Sequence, residues 1–158
     1  MRGMAKEPAV GDKALEFSLK DQDGQVVTLK SLKGKQVVLY FYPKDDTPGC
    51  TKEACGFRDS LEPIRKAGAV VLGVSLDGEE SHRKFMAKFA LPFPLLCDED
   101  AVLSKAYGVY KEKNMYGRKY WGIERSTFVI DPAGKLKAVF PKVKVDGHVE
   151  EVLAVLKA

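Results

Sequence analysis

Two of the three cysteines in the chain lie close together, at positions 50 and 55. Cys50 follows Thr47, Pro48 and Gly49, and this order predicts the start of a helix, with Thr47 at the N-cap and Pro48 at the first helical position. A cysteine in the first turn lies beside unpaired backbone N–H groups and the positive end of the helix dipole. Both favour the thiolate, which is the nucleophilic form of cysteine. Cys50 is therefore the predicted nucleophile, and the hydroxyl of Thr47 is a predicted donor to its sulfur or to a substrate oxygen.

The segments on either side of the predicted nucleophile indicate how it is positioned. Residues 37–42 form a continuous apolar run, VVLYFY, whose β-branched and aromatic content predicts a buried strand. Pro43 ends that strand because it has no N–H to donate to a sheet ladder. The helix that begins at Pro48 is expected to run to about Lys66, with a kink or a break caused by Pro63. The nucleophile is thus placed where a central strand leads into a helix.

The rest of the chain alternates between predicted strands and predicted helices, after an N-terminal arm (residues 1–13) that is expected to be flexible. Strands are predicted at residues 14–20, 25–29, 69–76, 95–97, 124–130 and 135–140. Helices are predicted at residues 78–90, at 101–107 and from a cap at Asp146 onward, and 109–123 is predicted to be a partly extended surface loop that covers one edge of the site. The first two strands flank turn residues and predict a hairpin. This order indicates one α/β domain over residues 1–158, with a mixed sheet.

The composition argues against several classes of protein. The 26 basic and 22 acidic residues are scattered and leave a net charge of +4, so we expect no nucleic-acid partner. Three cysteines in 158 residues do not make a disulfide scaffold, and they indicate redox or catalytic work in a reducing compartment. The sequence has no apolar run of membrane-spanning length, and residues 1–11 lack the apolar region of a secretion signal. We therefore expect a cytoplasmic protein that does not enter a membrane.

Pro43, Thr47 and Cys50 together match the pattern Pro-x-x-x-Thr-x-x-Cys, and in this the chain resembles the peroxiredoxin family. The second cysteine, Cys55, resembles that of the Q-type subgroup, an atypical 2-Cys group named for bacterioferritin comigratory protein. The resemblance extends over most of the chain. It implies a thioredoxin-like fold with an added N-terminal β-hairpin. It also implies a thiol-dependent peroxidase for hydrogen peroxide and organic hydroperoxides that needs no metal, haem or flavin.

The resemblance also implies roles for individual residues. Cys50 would be the peroxidatic cysteine, and Cys55 the resolving cysteine that forms an intramolecular disulfide with it. Arg125 matches the family's active-site arginine because it precedes the segment STFVID, residues 126–131, and its guanidinium offers several fixed donors. Pro43 would shield the sulfur and shape the pocket. Thioredoxin or a similar dithiol protein would reduce the disulfide, and the chain would be a monomer or a weak homodimer.

The spacing of Cys50 and Cys55 has a geometric consequence. In an ideal helix, five residues give ~7.5 Å of rise and ~140° of rotation, so the two Cα atoms lie roughly 8.6 Å apart. A disulfide generally needs a Cα separation of about 4.4 to 6.8 Å. Formation of the bond would therefore require local unwinding of the helix from Pro48 to about Phe57.

Two other classes of protein remain open on the sequence alone. The first is a thioredoxin-fold copper-binding assembly protein, which carries a cysteine pair near the same helix start and a distant histidine ligand. Thr47 and the wide cysteine spacing count against it. The second is a general disulfide reductase, which would need a Cys-x-x-Cys motif that this sequence lacks.

The remaining candidate side chains are interpreted as structural. Cys97 lies at the end of a short predicted strand, where a cysteine behaves as a small hydrophobic residue. His82 and His148 are expected at the surface, because neither has the cysteine or carboxylate spacing of a metal site.

Overall fold

The structure, a computed structural model, describes residues 7–158, which form nine strands, five α-helices and one short 3-10 helix, Lys30–Leu32. The strands are β1 (Ser18–Lys20), β2 (Val26–Thr28), β3 (Gln36–Phe41), β4 (Ala69–Ser75), β5 (Leu95–Cys97), β6 (Tyr110–Met115), β7 (Arg118–Ile123), β8 (Ser126–Ile130) and β9 (Leu136–Phe140). The helices are α1 (Pro48–Asp59), α2 (Leu61–Lys66), α3 (Glu79–Phe89), α4 (Val102–Ala106) and α5 (His148–Lys157). Over residues 7–158, no helix has the length and apolar character needed to cross a membrane.

Seven of the strands form one mixed sheet, in the order β2-β1-β5-β4-β3-β8-β9. The inner strands β3, β4 and β5 are parallel to one another, whereas β8 pairs with β3 in the antiparallel direction. The hairpin of β1 and β2 extends the sheet at β5, where Lys20 lies opposite Cys97. The predicted mixed sheet and its N-terminal hairpin are therefore confirmed.

The strand β3 is buried along its whole length, as its continuous apolar run predicts. Its side chains alternate between the two faces of the sheet. Val38 and Tyr40 pack into the cluster formed with α1, α2, α3 and α5, and Leu39 and Phe41 pack into a second cluster on the opposite face. Because both faces are covered, β3 is a rigid base for the loop and the helix that follow it.

The helix predicted for residues 48–66 is in fact two helices, α1 and α2, which meet at Ser60. Pro63 in α2 has no N–H, so it cannot bond to the carbonyl four residues before it. The N–H of Ser60 bonds to the carbonyl of Gly56 and closes the end of α1. The predicted break is confirmed.

The partly extended surface loop predicted at residues 109–123 is extended over most of its length, but it is a regular antiparallel hairpin, β6–β7, and not a loop. Tyr116 and Gly117 form its turn, both with positive φ, at 53° and 81°. The side chain of Asn114 accepts the N–H of Gly117 and fixes the turn. A two-residue hairpin turn usually carries Asn-Gly or Asp-Gly. Here Tyr116 occupies the first position, so the sequence lacks the motif that would have predicted a hairpin.

The predicted flexible arm lies partly outside the described residues, since the structure describes the chain from residue 7 onward. From Gly11 onward the chain is held against the turn between β8 and β9. The N–H of Gly11 bonds to the carbonyl of Leu136 over 2.9 Å, and the N–H of Ala14 bonds to the carbonyl of Gly134 over 2.8 Å. These bonds attach the chain to the sheet from Gly11 onward, and the flexibility of residues 1–13 stays a prediction.

The last helix does not begin at Asp146 as predicted. Its N-cap is Gly147, with φ of 79°, and α5 starts at His148. The carboxylate of Asp146 forms an ion pair with Lys52 on α1 instead. This contact links the segment before α5 to the helix that carries Cys50.

Candidate active site

Cys50 is the third residue of α1, and the predicted helix start is confirmed, with Thr47 at the N-cap and Pro48 at the first helical position. The side chain is almost completely buried, with 1% of its surface exposed. The first helical bond runs from the N–H of Thr51 to the carbonyl of Thr47, over 2.8 Å. The N–H groups of Gly49 and Cys50 precede that bond, so they are free to donate to a negative charge near the sulfur.

Thr47 has the extended backbone of an N-cap, but its hydroxyl does not cap the helix. The hydroxyl donates to the carbonyl of Lys44, over 2.8 Å. Because its proton is already used, Thr47 offers lone pairs to the site and acts as an acceptor rather than the donor that the sequence suggested.

Arg125 lies just before β8, and the fold brings its guanidinium to the sulfur of Cys50. Nη2 lies 3.4 Å from Cys50 Sγ, and Nη1 donates to Glu53 Oε1 over 2.7 Å. The backbone carbonyl of Arg125 accepts the N–H of Val143. Gly49 leaves room for the side chain, since a Cβ at that position would lie 3.0 Å from Nη2. Two residues that the sequence proposed separately thus meet in one site.

Glu53 is a site residue that the sequence analysis missed. Its side chain is fully buried on α1, and Arg125 is its ion-pair partner. Burial raises the pKa of Glu53 to about 7, although the charge and the hydrogen bond of Arg125 act in the opposite direction. The available signal was helical spacing, because Glu53 follows Cys50 by three residues and precedes the buried Phe57 by four.

Pro43 lies at the end of β3, where the strand prediction placed it, and it is half-buried. It opens the segment that we call the active-site loop, residues 43–47, which joins β3 to α1. The loop brings Thr47 to the start of α1 and so to Cys50.

Cys55 lies on α1 in the same continuous helix as Cys50, and it is partly exposed. It lines an open groove between α1 and the segment before α5, together with Lys52, Asp59 and Val145. All three cysteines are free thiols in this state. The structure is therefore the reduced form, with the helix still wound.

Cys97 lies at the end of β5, away from the other two cysteines. Its thiol contacts the carbonyl of Asp21, with 3.7 Å between Sγ and O. Burial, together with nearby acidic residues such as Glu99, raises the pKa of Cys97 to about 12. A thiol with so high a pKa is a poor nucleophile, which favours the structural interpretation.

The prediction that both histidines lie at the surface is wrong. His82 is completely buried on α3, and His148 is almost completely buried at the start of α5. The ring of His148 bonds to Thr127 and Glu151. His82 shares the inward face of its helix with Phe85, which was a usable signal.

Asp45, Asp77 and His82 bring potential ligand atoms within 4.8 Å of one another, which makes this cluster a possible metal site. The atoms already satisfy one another, however. His82 bonds to Asp45, and Asp77 accepts hydrogen bonds from the backbone of Asp45 and from Ser75. In the part of the chain that the structure describes, the cluster is therefore a hydrogen-bonded network among its own residues.

Comparisons with known proteins identify relatives over most of the chain. The model of the AhpC/TSA family matches residues 10–139. A putative peroxiredoxin bcp of Coxiella burnetii is 58% identical over 144 residues, which cover 91% of this chain and 95% of the relative. The peroxiredoxin Bcp of Bacillus subtilis is 52% identical over 148 residues, which cover 94% of each chain.

Solved structures are similar over the same length. A cysteine-to-serine mutant of PrxQ from Xylella fastidiosa matches with a TM-score of 0.91 and 43% identity, covering 97% of this chain and 98% of that chain. The bacterioferritin comigratory protein of Xanthomonas campestris, studied for its alkyl peroxide reduction activity, matches with a TM-score of 0.85 and 48% identity, covering 89% and 90% of the two chains. The predicted thioredoxin-like fold is thereby confirmed. The chain belongs to the AhpC/TSA family, and within it to the peroxiredoxins of the bacterioferritin comigratory protein type, also called peroxiredoxin Q.

Proposed function

We propose that this peroxiredoxin reduces hydrogen peroxide and organic hydroperoxides with Cys50 as its peroxidatic cysteine. The main support is the contact of Arg125 with Cys50, in which Nη2 lies 3.4 Å from Sγ while Glu53 holds Nη1. A fixed cation beside the sulfur favours the thiolate and offers a donor to an oxygen that gains negative charge. The alkyl peroxide reduction activity of the Xanthomonas campestris relative supports the same chemistry.

In the proposed reaction, the Cys50 thiolate attacks the terminal oxygen of R–O–O–H in line with the O–O bond. The S–O bond forms as the O–O bond breaks, and the sulfur supplies the two electrons. The leaving oxygen takes a proton from solvent and departs as an alcohol, or as water when the substrate is hydrogen peroxide, and Cys50 becomes a sulfenic acid. Arg125 and the free N–H groups of the first turn of α1 donate to the leaving oxygen.

Thr47 orients the peroxide in this proposal. Its hydroxyl proton is committed to the carbonyl of Lys44, so its lone pairs accept the O–H of the attacked oxygen. Pro43 shields the sulfur from water at the other end of the active-site loop. Positioning of this kind accelerates the attack by holding the reacting atoms in line.

The sulfenic acid is resolved by Cys55 in the proposed cycle. The Cys55 sulfur attacks the Cys50 sulfur, the S–S bond forms, and the oxygen leaves as water. Two residues five apart in an ideal helix have Cα atoms roughly 8.6 Å apart, which is too far for a disulfide. Because both cysteines belong to α1, the helix must open before the bond closes.

A dithiol protein of the thioredoxin type would return the disulfide to two thiols by exchange. Cys55 is the accessible sulfur, because it is partly exposed in the groove beside α1 whereas Cys50 is buried. The pair lies within one chain, so a monomer or a weak homodimer is sufficient. A reducing compartment such as the cytoplasm suits a cycle that starts from free thiols.

The two alternative functions are not favoured. A copper site would need thiolate and imidazole ligands. The ring nitrogens of His82 and His148 bond to protein groups, and the cation beside Cys50 is Arg125, which would repel a metal ion. A disulfide reductase would need its two cysteines closer together in the sequence.

The direct test mixes the fully reduced protein with one equivalent of peroxide, counts the remaining thiols and maps the disulfide by mass spectrometry. We expect the loss of two thiols and a bond between Cys50 and Cys55. Cys50→Ser should abolish peroxide reduction, and Cys97→Ser, the matched control, should turn over almost normally. Near-normal, thioredoxin-coupled turnover by Cys50→Ser would refute the assignment of the peroxidatic cysteine.

A further inference from the structure

A buried hydrogen-bonded pair, Asp45 and His82, connects the active-site loop to α3. Asp45 belongs to the loop, and His82 lies on α3 with its side chain completely buried. The ring Nδ1 of His82 lies 2.7 Å from Asp45 Oδ2, and Nε2 lies 3.0 Å from the carbonyl of Leu96. None of these groups touches Cys50 directly, so the mechanism above leaves the pair without a role.

The hydrogen bonds determine the charge of this pair. A carbonyl only accepts, so Nε2 of His82 must carry a proton towards Leu96. Asp45 already accepts hydrogen bonds from the hydroxyls of Tyr42, over 2.5 Å, and Ser81, over 2.8 Å. Both carboxylate oxygens of Asp45 therefore already act as acceptors, and the Nδ1 that faces Oδ2 acts as a further donor, so it also carries a proton. The pair is an imidazolium facing a carboxylate.

The groups around His82 maintain this state. Burial lowers the pKa of His82, but the hydrogen bond and charge of Asp45, the carbonyl of Leu96 and the charge of Asp77 outweigh burial, so the pKa is raised. The charged groups that act on the ring are Asp45 from the loop and Asp77 from the turn after β4, whereas the phenol of Tyr42 bonds to Asp45.

The peptide group between Lys44 and Asp45 connects the position of Asp45 to that of Thr47. The N–H of Asp45 donates to Asp77 Oδ2 over 2.9 Å. The carbonyl of Lys44, on the same planar peptide, accepts the hydroxyl of Thr47 over 2.8 Å. A rotation of this peptide would break both bonds and turn the lone pairs of Thr47 away from the peroxide. The orientation of Thr47 therefore depends on how firmly Asp45 is held.

The loop requires anchoring of this kind because part of it is strained. Asp46 has φ of 56°, in the left-handed region that residues with a Cβ seldom adopt. Strained backbone at an active site persists when the surrounding structure fixes it. The anchors come from Tyr42 after β3, from Ser81 and His82 on α3, and from Asp77 after β4.

We propose that His82 is a positioning residue for peroxide reduction: as an imidazolium it holds Asp45, and through the Lys44–Asp45 peptide it sets the hydroxyl of Thr47. The inference rests on the proposed function. Loss of the His82 proton at high pH releases Asp45, so the rate of reaction with peroxide should fall on the alkaline side.

The test compares His82→Gln with His148→Gln, which removes the other buried imidazole and leaves the active-site loop untouched. Stopped-flow measurement of sulfenic acid formation from pH 6 to pH 10 is the first readout. We expect the wild type to lose rate on an alkaline limb. His82→Gln should be about tenfold to a hundredfold slower at neutral pH, as for a misplaced catalytic group, and should lack that limb. His148→Gln should retain it.

Nitrogen-15 NMR of the wild-type imidazole rings is the second readout, and it depends neither on activity nor on the folding of a variant. We expect both ring nitrogens of His82 to be protonated at pH 7 and to lose a proton where the alkaline limb falls. An unprotonated ring nitrogen at pH 7, a limb that does not coincide with this titration, or a wild-type rate in folded His82→Gln would overturn the inference. A wild-type protein that reduces no peroxide would instead refute the proposed function.

Discussion

The active-site loop and helix α1 meet at Cys50, but different interactions hold them. The loop is fixed by buried groups from outside itself, of which the ion pair of Asp45 and His82 is the centre. Helix α1 contains Gly49 and Gly56, each of which weakens a helix by about 1 kcal/mol relative to alanine. The active-site loop is therefore held in one conformation, whereas helix α1 is less stable and can unwind.

The buried groups of α1 show how this opening is limited. Glu53 is buried with Arg125 as its partner, and its raised pKa means that the wound helix disfavours its ionised form. Phe57 is completely buried and packs on Tyr40, with 4.8 Å between the ring centroids. Exposure of Glu53 to solvent therefore costs little free energy at neutral pH. Exposure of Phe57 would place a large apolar side chain in water, which is unfavourable. We expect unwinding to begin at Pro48 and to end near Phe57.

The largest expected effect is the loss of helix α1 on oxidation. Amide exchange should show protected amides from 51 to 57 in the reduced protein and unprotected ones once Cys50 and Cys55 are joined, because the disulfide does not fit an intact helix. The amide of Asp45 and the strand β3 should remain protected in both states. Unchanged protection in α1, with the bond confirmed by mass, would show that the two parts of the site do not differ in this way.

Arg125 lies between the two parts, and its removal should have the next largest effect. Arg125→Ala removes a donor to the developing negative charge, and the loss of one such donor costs on the order of 10²–10³ in rate at comparable sites. Stopped-flow rates with peroxide measure the loss, and Arg118→Ala on the exposed strand β7 is a matched control. A rate unchanged from the wild type would make Arg125 structural. Arg125→Lys should recover only part of the rate, because a lysine cannot hold Glu53 and Cys50 with one planar group.

The sequence could predict the parts of the site that lie close together in the chain. Cys50, Thr47 and Pro48 form a local pattern, and the structure confirms the helix start that it predicts, although the hydroxyl of Thr47 donates to Lys44 instead of to the site. The break between α1 and α2 follows in the same way from the missing N–H of Pro63. Local rules of this kind depend on a few neighbouring residues, so they hold before the fold is known.

The anchors of the active-site loop could not be predicted in this way. Asp45 and His82 are 37 residues apart in sequence, and the fold alone brings them together. Burial of a polar group is favourable only when it gains partners, so a histidine in a polar helix start suggested the surface. Glu53 was missed for the same reason, because its partner Arg125 lies 72 residues away.

The pH dependence of α1 offers a finer comparison of the two parts. The pKa of Glu53 is raised from 4.5 to about 7 in the wound helix, so the wound form binds a proton more tightly than the open form does. The stability that this proton gives is complete below about pH 4.5 and is lost as the pH rises through about 7. The shift corresponds to about 3 kcal/mol at most. Native-state amide exchange in a variant with Cys50→Ser and Cys55→Ser should show easier opening of α1 at pH 8 than at pH 5.

The control for this experiment is Glu53→Gln, which keeps the shape of the side chain and cannot titrate. Opening of α1 in this variant should be independent of pH after correction for intrinsic exchange. A pH dependence that persists in Glu53→Gln would show that another group, and not Glu53, makes the opening of α1 depend on pH.

Gly56→Ala has the smallest expected effect. It tests whether the opening of α1 limits the rate of disulfide formation. Gly56 has an ordinary helical backbone, so alanine should stabilise the wound helix by about 1 kcal/mol, or roughly fivefold in the opening equilibrium. A new Cβ would, however, lie 3.0 Å from Cγ2 of Val149, which is buried on α5 and resists displacement. The two effects oppose each other in Gly56→Ala alone. The substitution Val149→Ala removes the crowding, so Gly56→Ala is made in a protein that already carries it. The double variant should close the disulfide about fivefold more slowly than Val149→Ala alone. Its rate of sulfenic acid formation should be unchanged. If the double variant closes the disulfide as fast as Val149→Ala, a step other than the opening of α1 limits resolution. If sulfenic acid formation also slows, α1 and the active-site loop are coupled more tightly than their separate anchors imply.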